Sequence, residues 1–189
     1  MRGAPKGFRL HIGLFGRRNV GKSSLLNALT RQAVSIVSDV AGTTTDPVEK
    51  PMELLPIGPV LFIDTAGIDD VGALGEQRVQ RTRRIFDRTD VGVVVAEAVH
   101  WGPFEEGILA ELQRRKAPAI VVFNKSDLGA PPAEVLAALK KAKVPAVLTV
   151  APKGEGLLDL REALIMQAPE DFINAPSILG DLVPAGELA

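Results

Sequence analysis

The sequence predicts an α/β fold: a mostly parallel six-stranded sheet with one antiparallel edge strand and helices on both faces. Three observations carry that prediction. Short apolar runs alternate with stretches of helical periodicity along most of the chain, the signature of strands joined by crossover helices. One pair of apolar runs is instead joined by a tight turn, Pro56-Ile57-Gly58-Pro59, which makes one hairpin. The length of 189 residues fits one domain with a short tail, and 46% apolar residues supply a sizeable core.

The first apolar run, Leu10-His11-Ile12-Gly13-Leu14-Phe15, ends at Gly16 and reads as a buried strand. Ser23 to Arg31 carries Leu25, Leu26 and Leu29 at helical spacing. Between them, Gly16-Arg17-Arg18-Asn19-Val20-Gly21-Lys22-Ser23 fits G-x-x-x-x-G-K-S/T. In that pattern the glycines let backbone N–H groups close around phosphate oxygens. Lys22 places positive charge at the β- and γ-phosphates, and the Ser23 hydroxyl is a magnesium ligand. The helix N-terminus adds its dipole. Gly16, Asn19, Val20, Gly21, Lys22, Ser23 and Ser24 are therefore candidate phosphate contacts. An incidental glycine-rich turn would not require a strand before it and a helix after it. The fold class narrows to a P-loop NTPase.

Gln32 to Pro47 is rich in Ser, Thr, Gly and Asp, a long polar loop of the kind that serves function in a compact domain. Val48 to Leu55 and Val60 to Ile63 flank the hairpin turn. Asp64-Thr65-Ala66-Gly67 follows the second of these strands. Asp64 is expected to hold magnesium through water, and the Gly67 N–H to meet the γ-phosphate. A helix cap is the alternative use of such a pair, but the order after the phosphate loop favours the nucleotide site.

Glu76 to Arg88, Phe104 to Arg115, Pro132 to Ala142 and Leu157 to Met166 read as helices. Val91 to Ala96, Ala119 to Phe123 and Ala146 to Val150 read as strands between them. Ligands of such sheets lie at the carboxyl ends of strands, and the loops there begin at Gly16, Asp64, Asn124 and Ala151. Asn124-Lys125-Ser126-Asp127 is the base-reading candidate. The Asp127 carboxylate can accept from guanine N1–H and the 2-amino group, whereas adenine would leave it desolvated and unpaired. The Lys125 stem would lie along the base. In the last loop, Ala151 could offer its N–H to guanine O6, although Val150 and Pro152 depart from the Ser-Ala-Lys usual there.

Composition sets limits. The net charge is −1 and the isoelectric point is about 6.2, which disfavours a nucleic-acid partner bound by bulk charge. The chain has no cysteine, so it carries no disulfide, thiolate metal site or iron–sulfur cluster of its own. No apolar run approaches the ~20 residues of a membrane span. The N-terminus lacks a secretory pattern, so the expected location is cytoplasmic. His11 and His100 are isolated and read as packed or exposed residues rather than metal ligands.

Gly-Arg-x-Asn-x-Gly-Lys-Ser, Ala-Gly-Thr-Thr-x-Asp, Asp-Thr-Ala-Gly-Ile and Asn-Lys-x-Asp together resemble the GTPases close to the tRNA-modification enzyme TrmE, with a Ras-like G domain. Thr45-Asp46-Pro47-Val48-Glu49-Lys50, the run Met52 to Pro59, Ile68-Asp69-Asp70 and the tail Ile178 to Pro184 are similar to the HydF family of iron-only hydrogenase maturation GTPases. The resemblance runs from about Arg9 to Leu182. It implies GTP as ligand, Mg2+ as cofactor, and hydrolysis that is slow and stimulated by potassium. Thr44 would be the switch magnesium ligand. Asn19 would bind potassium, with the carbonyls of Ser38 and Val40 completing the site.

It also implies a transient homodimer through G domains. Hydrogenase and radical-SAM maturases would be partners of the full-length protein. Ile68 occupies the place where Ras-like enzymes carry a water-orienting glutamine. Glu76 stands at the spacing of the glutamate that serves instead in TrmE. It is also an acidic residue favoured in a first helical turn, and the two readings stay open. Lys22, Thr44 and Glu76 are the catalytic candidates.

Arg78, Arg81, Arg84 and Arg88 recur at helical spacing, as a solvated face or as a nucleotide-dependent partner surface. The expected organisation is an arm over 1–9, a G domain over 10–167 and a linker over 168–189. The linker would lead toward dimerisation and iron–sulfur domains. Two other functions compete: an RNA-associated GTPase, and a GTP-binding interaction module with little hydrolysis.

Overall fold

A computed structural model of the chain describes residues 9–32, 48–65 and 83–173. In chain order the elements are β1 (Leu10–Phe15), α1 (Lys22–Gln32), β2 (Val48–Leu54) and β3 (Gly58–Asp64). Then come α2 (83–88), β4 (Val91–Glu97), α3 (Pro103–Arg114), β5 (Ala119–Asn124), α4 (Ala133–Lys141), β6 (Ala146–Thr149), α5 (Leu157–Gln167) and α6 (Glu170–Ile173). The six strands form one sheet in the order β2-β3-β1-β4-β5-β6. β2 runs antiparallel to β3, and every other pairing is parallel. The predicted fold class is the observed one.

Burial follows from the period of two along each strand. On one face, Leu10, Ile12 and Leu14 of β1 pack with Leu25, Leu26 and Leu29 of α1 and Leu157, Leu160 and Leu164 of α5. On the other, Phe15, Val94, Val121 and Phe123 pack with Ile85 and Phe86 of α2, Leu112 of α3 and Leu139 of α4. Phe15 and Phe86 stack with ring centroids 4.5 Å apart. Because both faces are covered, the inner strands read as unbroken apolar runs, and every residue of β5 is buried.

The hairpin is tighter than the sequence suggests. Its strands pair from Val48 opposite Asp64 to Leu54 opposite Gly58, so Gly58 and Pro59 belong to β3 and not to the turn. The last strand ends at Thr149, and Val150 forms an isolated bridge to Glu155. A short helix, α6, follows α5 inside the segment read as linker, and Ala168 and Phe172 pack on the core. The loop 33–47 and the first part of the helix expected over Glu76 to Arg88 lie outside the described residues. Arg78 and Arg81 lie there too. Arg88 pairs with Glu49 of β2 at 2.7 Å, and Arg84 is exposed. His11 pairs with Asp90 at 3.3 Å, and His100 is exposed. No helix among the described residues is long and apolar enough to cross a membrane.

At the end of α3, Arg114 (Nε, 2.8 Å) and Arg115 (Nε, 2.5 Å) both donate to Glu111. First through the Arg114 bond and then through that of Arg115, they hold the Glu111 carboxyl down at about 2 from the ordinary 4.5. The folded value is depressed, so the stabilisation is present above the unfolded value and is lost as pH falls toward the folded one. Glu111→Gln is expected to lower stability at neutral pH by no more than ~1 kcal/mol, as for exposed ion pairs. The gap from the parent should close between the two values. Denaturant midpoints of both proteins from neutral to acid pH measure it; a gap independent of pH would contradict it.

Candidate functional site

The loops at the carboxyl ends of β1, β3, β5 and β6 converge on one edge of the sheet, and a single buried side chain ties three of them together. Asn124, the last residue of β5, is 1% exposed. Its Nδ2 donates to the Val20 carbonyl of the phosphate loop at 2.9 Å. Its Oδ1 accepts from Thr149 Oγ1 at 3.0 Å and from the Ala151 N–H at 3.2 Å. Asn suits this place because its amide offers donors on one side and an acceptor on the other. Asn124 thus fixes the distance between the phosphate end and the base end of the cleft.

The phosphate loop between β1 and α1 closes over that contact. Gly16 has φ 152°, and a Cβ there would come within 2.2 Å of the Val95 carbonyl. Gly21 has φ 98°, and a Cβ there would lie 2.2 Å from Asn124 Nδ2. Any side chain at either position would strain the backbone and push the loop off its support. Val20 is buried beneath the loop, while Arg18 and Asn19 are exposed at its tip, Asn19 in the left-handed region at φ 66°.

Lys22 is buried, and its Nζ donates to the carbonyls of Gly16 at 2.6 Å and Arg17 at 2.8 Å. The ammonium therefore lies across the loop that the sequence assigns to phosphate. Ser23 and Ser24 follow Lys22 in the first turn of α1, and both are exposed.

Asp64 ends β3, and its Oδ2 lies 3.4 Å from Ser23 Oγ. A hydroxyl and a carboxylate oxygen side by side are hard donors of the kind magnesium takes, so the residues present fit that ion. Thr65 anchors this corner, its Oγ1 donating to the Leu14 carbonyl at 2.5 Å. Ser38, Val40, Thr44, Gly67, Ile68 and Glu76 lie outside the described residues.

At the base end, Lys125 adopts the left-handed conformation at φ 58° and pairs with Glu97 at the end of β4. Ser126 Oγ donates to the Thr149 carbonyl at 3.2 Å. Asp127 sits in a 3₁₀ turn (Ser126–Leu128), and Lys153 Nζ lies 3.2 Å from its Oδ2. The Ala151 N–H, which the sequence offers to guanine O6, here donates to Asn124. Ala151 begins a second 3₁₀ turn, Ala151–Lys153, into which Pro152 fits because no backbone N–H donor is needed at the start of the turn.

Three connections escaped the sequence. One is the bridge through Asn124 to the phosphate loop. Another is the Lys153–Asp127 pair, across residues 26 apart in the chain. The third joins Arg17 of the phosphate loop to Glu105 of α3 at 2.8 Å. Of these, Glu105 left a trace: it stands three residues after Gly102, the spacing at which Glu returns to the N-cap N–H.

Comparison with known proteins agrees with this geometry. The 50S ribosome-binding GTPase family matches residues 11–125. The chain is 41% identical over 158 residues to a tRNA modification GTPase MnmE of Synechococcus sp. (strain JA-2-3B'a(2-13)), an alignment covering 81% of this chain and 32% of that protein. The chain thus spans about a third of the length of this curated relative. Among solved structures, an Aquifex aeolicus Era variant bound to GDP.AlF4- superposes with TM-score 0.65 at 31% identity, covering 84% of this chain and 56% of that one. Era in complex with MgGDPNP and nucleotides 1506–1542 of 16S ribosomal RNA superposes with TM-score 0.66 at 30% identity, covering 92% and 61%. The chain belongs to the 50S ribosome-binding GTPase family, as a GTP-binding GTPase domain of the TrmE/Era-like group.

Proposed function

We propose that this chain is the nucleotide switch of a hydrogenase maturation factor, binding GTP with magnesium and hydrolysing it to control a metallocluster scaffold. The GTPase part rests above all on Asn124, whose buried amide holds a phosphate loop and a base-reading loop as two ends of one cleft. The hydrogenase part rests on the Thr45–Lys50, Met52–Pro59 and Ile178–Pro184 segments. In this reading 10–167 is the G domain, 1–9 an arm before it and 168–189 a linker, whose first residues Ala168 and Phe172 pack on the G-domain core. Hydrogenase and radical-SAM maturases are the partners of the full-length protein.

In this reading Ser23 and Asp64 hold magnesium together with Thr44. The ion would supply positive charge to the phosphate oxygens. Lys22 leaves the loop carbonyls for the phosphates, and the backbone N–H groups of Gly16 to Ser24 cradle them, with Gly67 at the γ-phosphate. Asp127 accepts from the guanine base edge, Lys125 lies along the base, and the Ala151 region faces O6. Glu76 orients the attacking water.

Asn19 contributes an amide oxygen to potassium, with Ser38 and Val40. Of these three, Asn19 lies within the described residues, and its exposed place at the loop tip suits a neutral oxygen donor. Phosphate release is accordingly expected to be faster in potassium than in sodium at matched ionic strength, and Asn19→Ala to abolish the difference. The comparison is run at several protein concentrations, because two G domains meeting would complete the site. Equal rates in both salts throughout would remove this mechanism.

The relatives favour a second reading. One is named a tRNA modification GTPase, and Era is solved with 16S ribosomal RNA. A deletion strain separates the two. Loss of hydrogenase activity with unchanged tRNA nucleoside composition supports the maturation role. Altered tRNA nucleosides with intact hydrogenase activity would overturn it.

A further inference from the structure

We infer that Glu105 is a positioning residue for nucleotide binding: it holds the phosphate loop from beneath, through Arg17, in the shape that receives phosphates. The inference rests on the GTPase reading of the cleft and adds a residue outside it. Glu105 is the third residue of α3, and its side chain is 1% exposed. Its Oε1 accepts from Arg17 Nε at 2.8 Å, and its Oε2 from Arg17 Nη2 at 3.4 Å. The same Oε2 accepts from the Gly102 N–H at 3.1 Å, which fixes the carboxylate to the start of its own helix. The Arg17 guanidinium also lies 5.2 Å from the Phe104 ring centroid. Arg17 is the second residue of the phosphate loop, and its carbonyl is one of the two that hold Lys22 Nζ. A connected path therefore runs from α3, through a forked ion pair, to the backbone around the loop lysine.

The plain alternative is that the pair merely docks α3 on the sheet. Apolar contacts do that at less cost, because removing a carboxylate from water costs several kcal/mol before any pairing. Leu112 already supplies such contacts from the same helix. Among the described residues two carboxylates are buried, Asp64 beside Ser23 and Glu105 against Arg17 of the phosphate loop. A planar fork against a carboxylate fixes direction as well as distance. It therefore constrains the loop backbone in a way that packing does not. A loop ordered in advance loses less freedom when phosphates arrive.

The order is needed equally by bound GTP, by GDP and by the transition state, so its loss raises KM and leaves kcat alone. Glu105→Gln is expected to weaken GTP and GDP alike by about tenfold, with kcat at saturating GTP unchanged. Arg17→Lys, which keeps the charge and loses the fork, should shift both affinities the same way by a smaller factor. The double variant Arg17→Met/Glu105→Leu should recover the thermal midpoint lost in Glu105→Gln, because it leaves no buried charge or polar group at position 105, without recovering nucleotide affinity.

The measurements are Kd for GTP and GDP, steady-state kcat and KM, and melting midpoints. Affinities of Glu105→Gln and Arg17→Lys within twofold of the parent would overturn the inference. So would a fall in kcat at constant KM, or an apolar double variant that binds GDP like the parent. A parent chain that binds no GTP would instead count against the reading of the cleft itself.

Discussion

Asp127→Asn is expected to lower affinity for GTP by about a hundredfold or more and to create binding of xanthosine triphosphate. Two hydrogen bonds from the guanine edge to an ionised carboxylate are each worth ~1.5–3 kcal/mol, and an amide cannot accept both. The same amide offers an N–H to the 2-oxo group of xanthine, where guanine has a donor. The substitution also breaks the contact with Lys153, but that pair is exposed, at 56% and 37% for its two side chains. Such pairs contribute ~1 kcal/mol at most, so the base contacts decide the outcome. A competition titration of GTP against xanthosine triphosphate reads the change. Unchanged preference for GTP in the variant would remove Asp127 from the base site.

The second large effect concerns the metal. Ser23→Ala, or chelation of magnesium from the parent chain, is expected to reduce GTP hydrolysis by about a hundredfold or more. Ser23 Oγ lies 3.4 Å from Asp64 Oδ2, where two hard oxygens meet at the mouth of the phosphate loop. The Ser23 side chain is exposed, so its removal leaves the core intact and the loss is one of chemistry. Phosphate release with and without chelator measures it, with circular dichroism reporting the fold. Parent-level release under chelation would contradict the magnesium assignment.

These expectations come from residues that the sequence made legible at different depths. The sheet was readable because β1, β4 and β5 are short apolar runs closed by Gly16, Glu97 and Asn124, each followed by helical spacing. The phosphate loop was readable because φ values of 152° at Gly16 and 98° at Gly21 admit glycine alone. A fixed backbone demand leaves a fixed letter in the sequence.

The hairpin was found but its register was not. Leu54 pairs with Gly58 through a turn at Leu55, Pro56 and Ile57, so the Gly-Pro that signals a turn begins the next strand. Short helices such as Glu170–Ile173 have too few residues to show a period.

The links between loops were hidden for a different reason. Asn124 and Val20 are 104 positions apart, and Arg17 and Glu105 are 88 apart. Nothing local in either segment records the partner. An asparagine at the head of Asn-Lys-x-Asp suggests base recognition, whereas here its amide is spent on Val20, Thr149 and Ala151. Burial turns it into the joint of the cleft, and burial depends on the whole fold.

The central claim is that the cleft closed by Asn124 selects guanine and carries hydrolysis. The most direct test is single-turnover phosphate release with excess protein in magnesium and potassium, run side by side with GTP and ATP. Conversion of GTP to GDP and phosphate, with ATP left at the buffer rate, is the predicted result. GTP remaining at the buffer rate, or ATP hydrolysed as fast as GTP, would contradict it.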